Sequence, residues 1–198
     1  MEVLTHSILK HAANSPSANP LTAKELLHLG NRASVDQALS RLVRRGNLVR
    51  AGRGIYVRPI ESRFGARLPV ASEVVEAIAA QRGETIVRHG AAAANALGLT
   101  TQVPVREVYL TSGRNRRLKL GSQVVEFRHA PAWQLVLPGR PAGDAVRALA
   151  WLGPKRVSEA LRTIERKLPR TEIEAIVATR GRLPTWMAQE VSAFANNG

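Results

Sequence analysis

Residues 22–58, TAKELLHLGNRASVDQALSRLVRRGNLVRAGRGIYVR, decide the fold of this chain. Thr22 is followed three residues later by Glu25, which is the spacing of a capping box at the start of a helix. A helix is therefore expected over residues 23–29, and Gly30 is the residue type that most often ends one. A tight turn follows, and a second helix comes directly after it.

The second helix is expected from about residue 33 or 34 to Arg45, where Gly46 ends it. Next comes Leu48–Val57, in which alternating apolar residues flank the sequence Ala-Gly-Arg-Gly. This pattern is typical of a β-hairpin. Helix, turn, helix and hairpin in this order predict a winged helix-turn-helix, which places its second helix in a DNA groove. A further helix is expected before this stretch, over Glu2–Ala13.

The second helix has two faces of different chemistry. Val35, Leu39, Leu42 and Val43 recur at the spacing of a buried stripe. At about 100° per residue, the opposite side is polar and basic, and Gln and Arg are the side chains that read adenine and guanine edges or bind phosphate. The residues expected to contact DNA from this helix and from the turn and hairpin that flank it are Arg32, Ser34, Gln37, Arg41, Arg44, Arg45, Arg50 and Arg53. Arg58 is expected to project from the hairpin as well. A solvated face that contacts nothing is the alternative, but the position between a turn and a hairpin favours a groove.

The charge balance also favours a polyanionic partner. The chain has 29 Lys and Arg against 15 Asp and Glu, a net charge of +14 and a pI near 11.5, and a pI above about 9 is typical of nucleic-acid-binding domains. The excess is +6 over residues 1–58 and +8 over residues 59–198. Both parts of the chain are therefore basic, so DNA contact by the first part does not account for all of the charge.

Three segments are expected: a winged helix-turn-helix domain at 1–58, a linker at 59–69 that contains Pro and Gly, and an α+β domain at 70–198. In the third segment, short strands are expected around residues 85–88, 105–111, 118–120 and 123–128. Helices are expected at 72–81, where Ser72 is the predicted cap, and at 91–97, 143–152, 155–168, 171–179 and 184–194, with prolines between the last four. The fold class predicted for the whole chain is α+β. The alanines of residues 91–94 are attributed to close helix packing.

A second basic run precedes the strand at 118–120. Its members are Arg114, Arg116, Arg117 and Lys119. Runs of this kind mark some nucleic-acid patches, although the signal is weak. A solvated loop explains the run equally well, so both interpretations stay open.

No catalytic or metal constellation is found in the sequence. There is no cysteine, which excludes disulfides, thiol catalysis and Cys-based zinc sites, and the five histidines are scattered. Glu107 and Glu126 resemble a nuclease pair, but Arg106 and Arg128 beside them favour ion pairing on the strand surface. Neither an enzyme, a cofactor nor a metal is expected. The sequence has no secretory signal and no apolar run of the length that spans a membrane, so a cytoplasmic protein is expected.

The chain resembles the AbiEi family, the antitoxins of type IV toxin–antitoxin systems. The resemblance is strongest over residues 22–58 and continues through AAAANALGLTTQVP, REVYLTSG, VVEFRHA and GRPAGDAVRALAWLG, so that it covers most of residues 20–153. It implies a first domain that binds inverted repeats in its own promoter and represses the operon. It also implies a second domain that counteracts a cognate nucleotidyltransferase toxin, with direct complex formation left open. The expected assembly is a monomer or a weak dimer.

Two other functions fit the same sequence. One is a stand-alone winged-helix transcription regulator whose second domain mediates oligomerisation or senses a ligand. The other is an RNA-binding protein that uses both basic domains. An adjacent toxin gene would separate the antitoxin from the regulator, and relative affinity for promoter duplex and structured RNA at matched salt would separate DNA from RNA binding.

Overall fold

The computed structural model describes residues 2–63 and 65–196. The chain forms two compact units, each built from two separate stretches of sequence. The first unit is Met1–Glu84 with Arg117–Val125, and the second unit is Thr85–Arg116 with Glu126–Gly198. The sequence-based segments 1–58, 59–69 and 70–198 divide the chain differently, because strand pairing across long sequence distances is invisible to composition.

The first unit begins with helix α1, Glu2–Ala13, at the bounds that the sequence predicts. The helix expected over 23–29 is instead a single 3-10 turn, Glu25–His28. Thr22 Oγ1 does accept the Glu25 N–H at 3.3 Å, as the capping box predicts. A segment this short gains too few hydrogen bonds to offset helix nucleation, so only one tighter turn forms.

Helix α2 is Arg32–Arg44, and the Asn31 side chain caps it by accepting the Ser34 N–H at 2.9 Å. It begins slightly before the expected start because Asn31, not a residue of the helix, supplies the cap. Gly46 follows the helix with φ +76°, a left-handed conformation that favours glycine. Of the predicted apolar stripe, Val35, Leu39 and Leu42 are at most 1% exposed, and Val43 is half-buried against the same core.

One apolar core joins α1, the 3-10 turn and α2. Its buried members are Ile8, Ala12, Leu21, Ala23, Leu26, Val35, Ala38, Leu39, Leu42, Leu48 and Tyr56. Burial of a Leu, Ile or Val side chain contributes about 1.5–3 kcal/mol, so the larger members of this core stabilise the orientation of α2 and of the hairpin that follows it.

The predicted hairpin is confirmed. Strands β1, Val49–Gly52, and β2, Ile55–Val57, pair antiparallel, with Val49 opposite Val57. Gly54 in the turn has φ +69°. Leu21 extends the pairing, because its N–H donates to the Tyr56 carbonyl at 2.7 Å and its carbonyl accepts the Tyr56 N–H at 3.0 Å. The hairpin is thereby attached to the segment that precedes the 3-10 turn.

The stretch expected to be a linker contains a second hairpin. Strand β3, Ile60–Ser62, pairs antiparallel with β4, Gly65–Arg67. Gly65 has φ +102°, and its carbonyl accepts the Ser62 hydroxyl at 2.6 Å. These local bonds close a turn that composition alone predicts to be irregular.

Helix α3, Ala71–Arg82, follows. Ser72 is not its cap, because the helix begins one residue earlier and Val70 occupies the cap position without a side-chain bond. The Gln81 side chain donates to the Pro20 carbonyl at 2.9 Å, which attaches α3 to the first part of the same unit.

The remaining elements are a small sheet and a group of helices. Strands β5, Ile86–Arg88, β6, Glu107–Thr111, β7, Arg116–Leu120, and β8, Gln123–His129, form one four-stranded sheet in the order β5-β6-β8-β7. Strands β5 and β6 are antiparallel, with Val87 opposite Leu110. The division into units crosses β7 and β8, so that their hairpin end belongs to the first unit.

The remaining helices lie close to the predicted segments. They are α4, Gly90–Ala96, α5, Pro141–Leu152, α6, Val157–Lys167, α7, Arg170–Ala178, and α8, Thr185–Asn196. Ala93 and Ala94 are fully buried in their common core, which agrees with the packing role assigned to the alanines. Helices and small sheets together confirm the α+β class.

Candidate nucleic-acid interface

The surface of α2 opposite its buried stripe carries the candidate site. Gln37 and Arg44 are exposed, and their spacing of seven residues at about 100° per residue places them on one line. Ser34 and Arg41 are half-buried and lie on the flank of this line. Arg45 is exposed at the C-cap. The five residues therefore form a graded surface, with Gln37 and Arg44 at its centre.

The cations at the end of α2 have no anionic partner in the protein. Within residues 2–63 and 65–196, the guanidinium groups of Arg41, Arg44 and Arg45 have neither an ion pair nor a hydrogen bond. Position in the last helical turn favours positive charge through the helix dipole by about 0.3–1 kcal/mol, so the charges also support the helix. Their donors remain available to an external anion.

Arg32 differs from the other predicted contacts because its charge is compensated. Its Nε donates to Asp36 Oδ2 at 2.8 Å, and the two residues are one helical turn apart on an exposed flank. Contact between Arg32 and phosphate would require this ion pair to break or to shift, so Arg32 is the weakest candidate on α2.

The β1–β2 hairpin presents two arginines. Arg50 on β1 and Arg53 in the turn are exposed, and no ion pair or hydrogen bond engages either side chain within the described part of the chain. Arg58, which was expected to project in the same way, is half-buried with its Nε enclosed. The hairpin therefore offers Arg50 and Arg53, and Arg58 follows β2 into the protein.

The four cations of the second basic run lie in different environments. Along β7 the side chains alternate, so Leu118 is buried while Arg117 and Lys119 are exposed. Arg116 shares the inner face and lies with its guanidinium 4.4 Å from the centroid of the Phe127 ring, a cation–π contact. Arg114 is exposed, and it belongs with Arg116 to the second unit, whereas Arg117 and Lys119 belong to the first. The alternation Arg-Arg-Leu-Lys-Leu was the signal that set Arg116 apart.

A close approach within the first unit could not be predicted from sequence. At Gly52, beside Arg53, a Cβ would lie 3.1 Å from Leu118 Cδ2 and 3.3 Å from the Arg117 carbonyl oxygen. The turn of the β1–β2 hairpin therefore contacts the end of the β7–β8 hairpin. More than sixty residues separate the two in sequence, so no local pattern indicates their contact.

The carboxylates that resembled a nuclease pair have other partners. Glu126 accepts a hydrogen bond from Arg128 at 3.1 Å and has Arg106 at 3.9 Å, while Glu107 accepts the Tyr109 hydroxyl at 2.9 Å. Among residues 2–63 and 65–196, no group of three His, Asp or Glu side chains could hold a metal ion. In the same residues, no helix is both long and apolar enough to cross a membrane.

These observations define an α+β protein with an exposed cationic helix and an adjoining cationic hairpin in its first unit. A family described as being of unknown function, DUF6088, matches residues 8–176, and the chain belongs to this family. No curated protein and no solved structure matches the chain.

Proposed function

We propose that the first unit is a winged helix-turn-helix domain that binds double-stranded DNA. The observation that carries the proposal is a set of cations on α2 and on the β1–β2 hairpin that have no partner in the described part of the chain, of which Arg44, Arg45, Arg50 and Arg53 are exposed. The described residues of these two elements contain one carboxylate, Asp36, and Arg32 occupies it. A surface of this kind suits a polyanion, because each phosphate contact releases a condensed counterion.

Each element has a distinct role in this proposal. Helix α2 lies in the major groove, where Gln37 and Arg44 reach base edges and Arg41 and Arg45 reach base edges or phosphate. Arg50 and Arg53 of the hairpin contact phosphate, which sets affinity and register but carries no sequence information. Specificity then depends on α2, and affinity depends on both elements.

The physiological role that we propose is an antitoxin that represses its own operon through inverted repeats in the promoter. It also counteracts a nucleotidyltransferase toxin through the second unit. This role rests on the resemblance of the sequence to the AbiEi family. Co-expression with the neighbouring gene tests it: growth should stop with that gene alone and recover when this chain is present. If growth does not recover, or if the neighbouring gene is harmless alone, the antitoxin role is wrong. The chain would then be a transcription regulator without antitoxin activity.

DNA binding is tested by fluorescence anisotropy with the intergenic fragment upstream of the gene, a scrambled duplex and a structured RNA at one salt concentration. The wild type should bind the upstream fragment most tightly. Arg44→Gln should weaken this binding by about 1–3 kcal/mol if Arg44 contacts a base.

Arg162→Gln provides the matched control, because Arg162 is an exposed arginine on α6 of the second unit. Its removal changes net charge by the same amount and should leave affinity for the upstream fragment nearly unchanged. Equal losses for the two variants would contradict a specific role of α2. Tighter binding to the RNA than to either duplex would favour the RNA-binding function instead.

A further inference from the structure

The end of the β7–β8 hairpin is a structural part of the first unit. Its residues, Arg117–Val125, group with Met1–Glu84 and not with the sequence on either side of them. Leu118 is 1% exposed and lies against Gly52, as the Cβ distance of 3.1 Å indicates. In the turn that follows β7, a Cβ on Gly121 would lie 3.6 Å from Leu68 Cδ1. Leu118 against Gly52 and Leu68 near Gly121 therefore place both ends of β7 close to the rest of the first unit.

The anchoring determines which side chains face solvent. Leu118 and Leu120 are buried, so the strand period of two directs Arg117 and Lys119 outward. Because Gly52 lies against the backbone of Arg117, Arg117 is next to the turn that contains Arg53. The burial of Leu118 and Leu120, and not a flexible loop, therefore sets the positions of Arg117 and Lys119.

The charge of the two hairpins has one sign. The sequences VRAGRGIYVR, residues 49–58, and RLKLGSQVV, residues 117–125, contain five Lys and Arg, of which Arg58 is half-buried, and no Asp or Glu. Duplex DNA has one negative charge per about 1.7 Å of its axis, so a row of cations on adjoining hairpins suits its backbone.

We infer that the β7–β8 hairpin is a second wing, in which Arg117 and Lys119 bind duplex phosphates next to those bound by Arg53. The inference rests on the proposed DNA binding of the first unit. The second wing extends the contact along the sugar-phosphate backbone and adds affinity that is independent of sequence. A basic run that the sequence places outside the DNA-binding domain thus becomes part of it.

Salt dependence tests the second wing most directly. Binding of the full chain to the upstream fragment and to a scrambled duplex is measured across a salt series for wild type, Arg53→Gln, Lys119→Gln, Arg117→Gln and Arg162→Gln. Each phosphate contact that is lost should reduce the slope of log affinity against log salt by about 0.9. Lys119→Gln and Arg117→Gln should each reduce the slope as Arg53→Gln does, with equal losses on both duplexes. Arg162→Gln should retain the wild-type slope.

Hydroxyl-radical footprinting provides a second measurement. The wild type should protect backbone positions that become reactive in Lys119→Gln while protection elsewhere persists. Thermal unfolding of each variant checks that the substitution, made at an exposed side chain, leaves the fold intact.

The outcomes separate the second wing from DNA binding itself. Absence of salt-dependent duplex binding by the wild type contradicts the proposed function, and the second wing with it. If the wild type and Arg53→Gln behave as expected but Lys119→Gln and Arg117→Gln match Arg162→Gln, the second wing alone is wrong.

Discussion

Asp36 decides which arginines of α2 remain available to an anion. It is ion-paired with Arg32 at 2.8 Å, on one flank of the helix. Arg41 lies half-buried on the other flank and has no partner among residues 2–63 and 65–196. Helical periodicity was sufficient to predict the polar face of α2. It could not show that Arg32 and Asp36, beside this face, neutralise each other. Side-chain pairing is a property of the folded helix.

Arg41→Ala should therefore weaken binding to the upstream fragment by about 1–3 kcal/mol if Arg41 contacts a base, with a smaller loss on scrambled duplex. Fluorescence anisotropy measures both. The double variant Arg32→Ala/Asp36→Ala is the control on the same helix, because it removes an ion pair and leaves the net charge unchanged. We expect it to have a clearly smaller effect, and an equal loss would show that the helix itself had been disturbed.

His89 should make the stability of the second unit depend on pH. Its Nδ1 accepts the Ala91 N–H at 3.2 Å and so caps α4 in the neutral form. Burial first, and then the charge of Arg128, lowers the pKa of His89 below its ordinary value of 6.5. The unfolded chain consequently binds this proton more tightly than the folded chain. The stability from neutral His89 is present above about pH 6.5 and is lost as the pH falls below it.

His89→Asn should remove this dependence, because Asn keeps an acceptor at the cap position and does not titrate. Urea unfolding midpoints at about pH 7.5 and about pH 5.5, on either side of the ordinary histidine pKa, are compared for wild type and variant. The decrease in the midpoint on acidification should be smaller in His89→Asn. His6→Asn, at an exposed position on α1, should show the wild-type decrease, and the same decrease in all three proteins would contradict the role of His89.

At the scale of elements, α4 packs closely against α5 in the second unit, and Gly90 permits this approach. A Cβ at Gly90 would overlap the Arg147 carbonyl oxygen and lie 2.7 Å from Trp151 Cβ. The overlapping atoms belong to backbone and to a Cβ, which cannot rotate away. Only glycine lets the first turn of α4 lie directly on α5.

Gly90→Ala should lower the free energy of unfolding by about 1–3 kcal/mol, the usual effect of overpacking, as measured by urea unfolding. Gly181→Ala is the matched control, because a Cβ there meets nothing within 4 Å. A stability of Gly90→Ala equal to that of the control would mean that the two helices can separate without cost.

Elements with strong local signals were predictable, and those made by distant contacts were not. Prolines and helical periodicity were sufficient to predict the four C-terminal helices, and two glycines with alternating flanks predicted β1 and β2. The 3-10 turn at Glu25–His28 and the hairpin of β3 and β4 were missed. In the candidate site, periodicity indicated the α2 face. No local sequence pattern indicated the approach of Leu118 to Gly52.

Across the whole molecule, the basic excess of residues 59–198 has in part a structural explanation. Lys167 Nζ donates to the Leu97 carbonyl at 2.7 Å and Arg156 donates to the Leu99 carbonyl at 3.2 Å, which satisfies backbone acceptors at the end of α4. Arg147, 2% exposed, donates to Asp144 at 2.8 Å and to two further carbonyls. Not every cation of the second unit therefore needs an external partner.

The discontinuous first unit leads to a prediction about fragments. Residues 1–84 alone lack Leu118 and Leu120, which are 1% and 5% exposed in the intact protein. A buried leucine contributes about 1.5–3 kcal/mol, and a domain of this size has about 5–15 kcal/mol in total. The fragment should consequently unfold at a lower temperature than 1–84 joined to 117–125 through a flexible linker. It should also bind more of a dye for exposed apolar surface.

Calorimetry and dye fluorescence of the two fragments distinguish packing from mere chain length. A third fragment, in which Leu118 and Leu120 of the added hairpin are replaced by Ser, has the same length and is expected to behave like 1–84. If all three fragments unfold at one temperature, the hairpin adds no stability to the first unit. The unit would then have to be regarded as continuous in sequence, because the burial of Leu118 would contribute nothing to it.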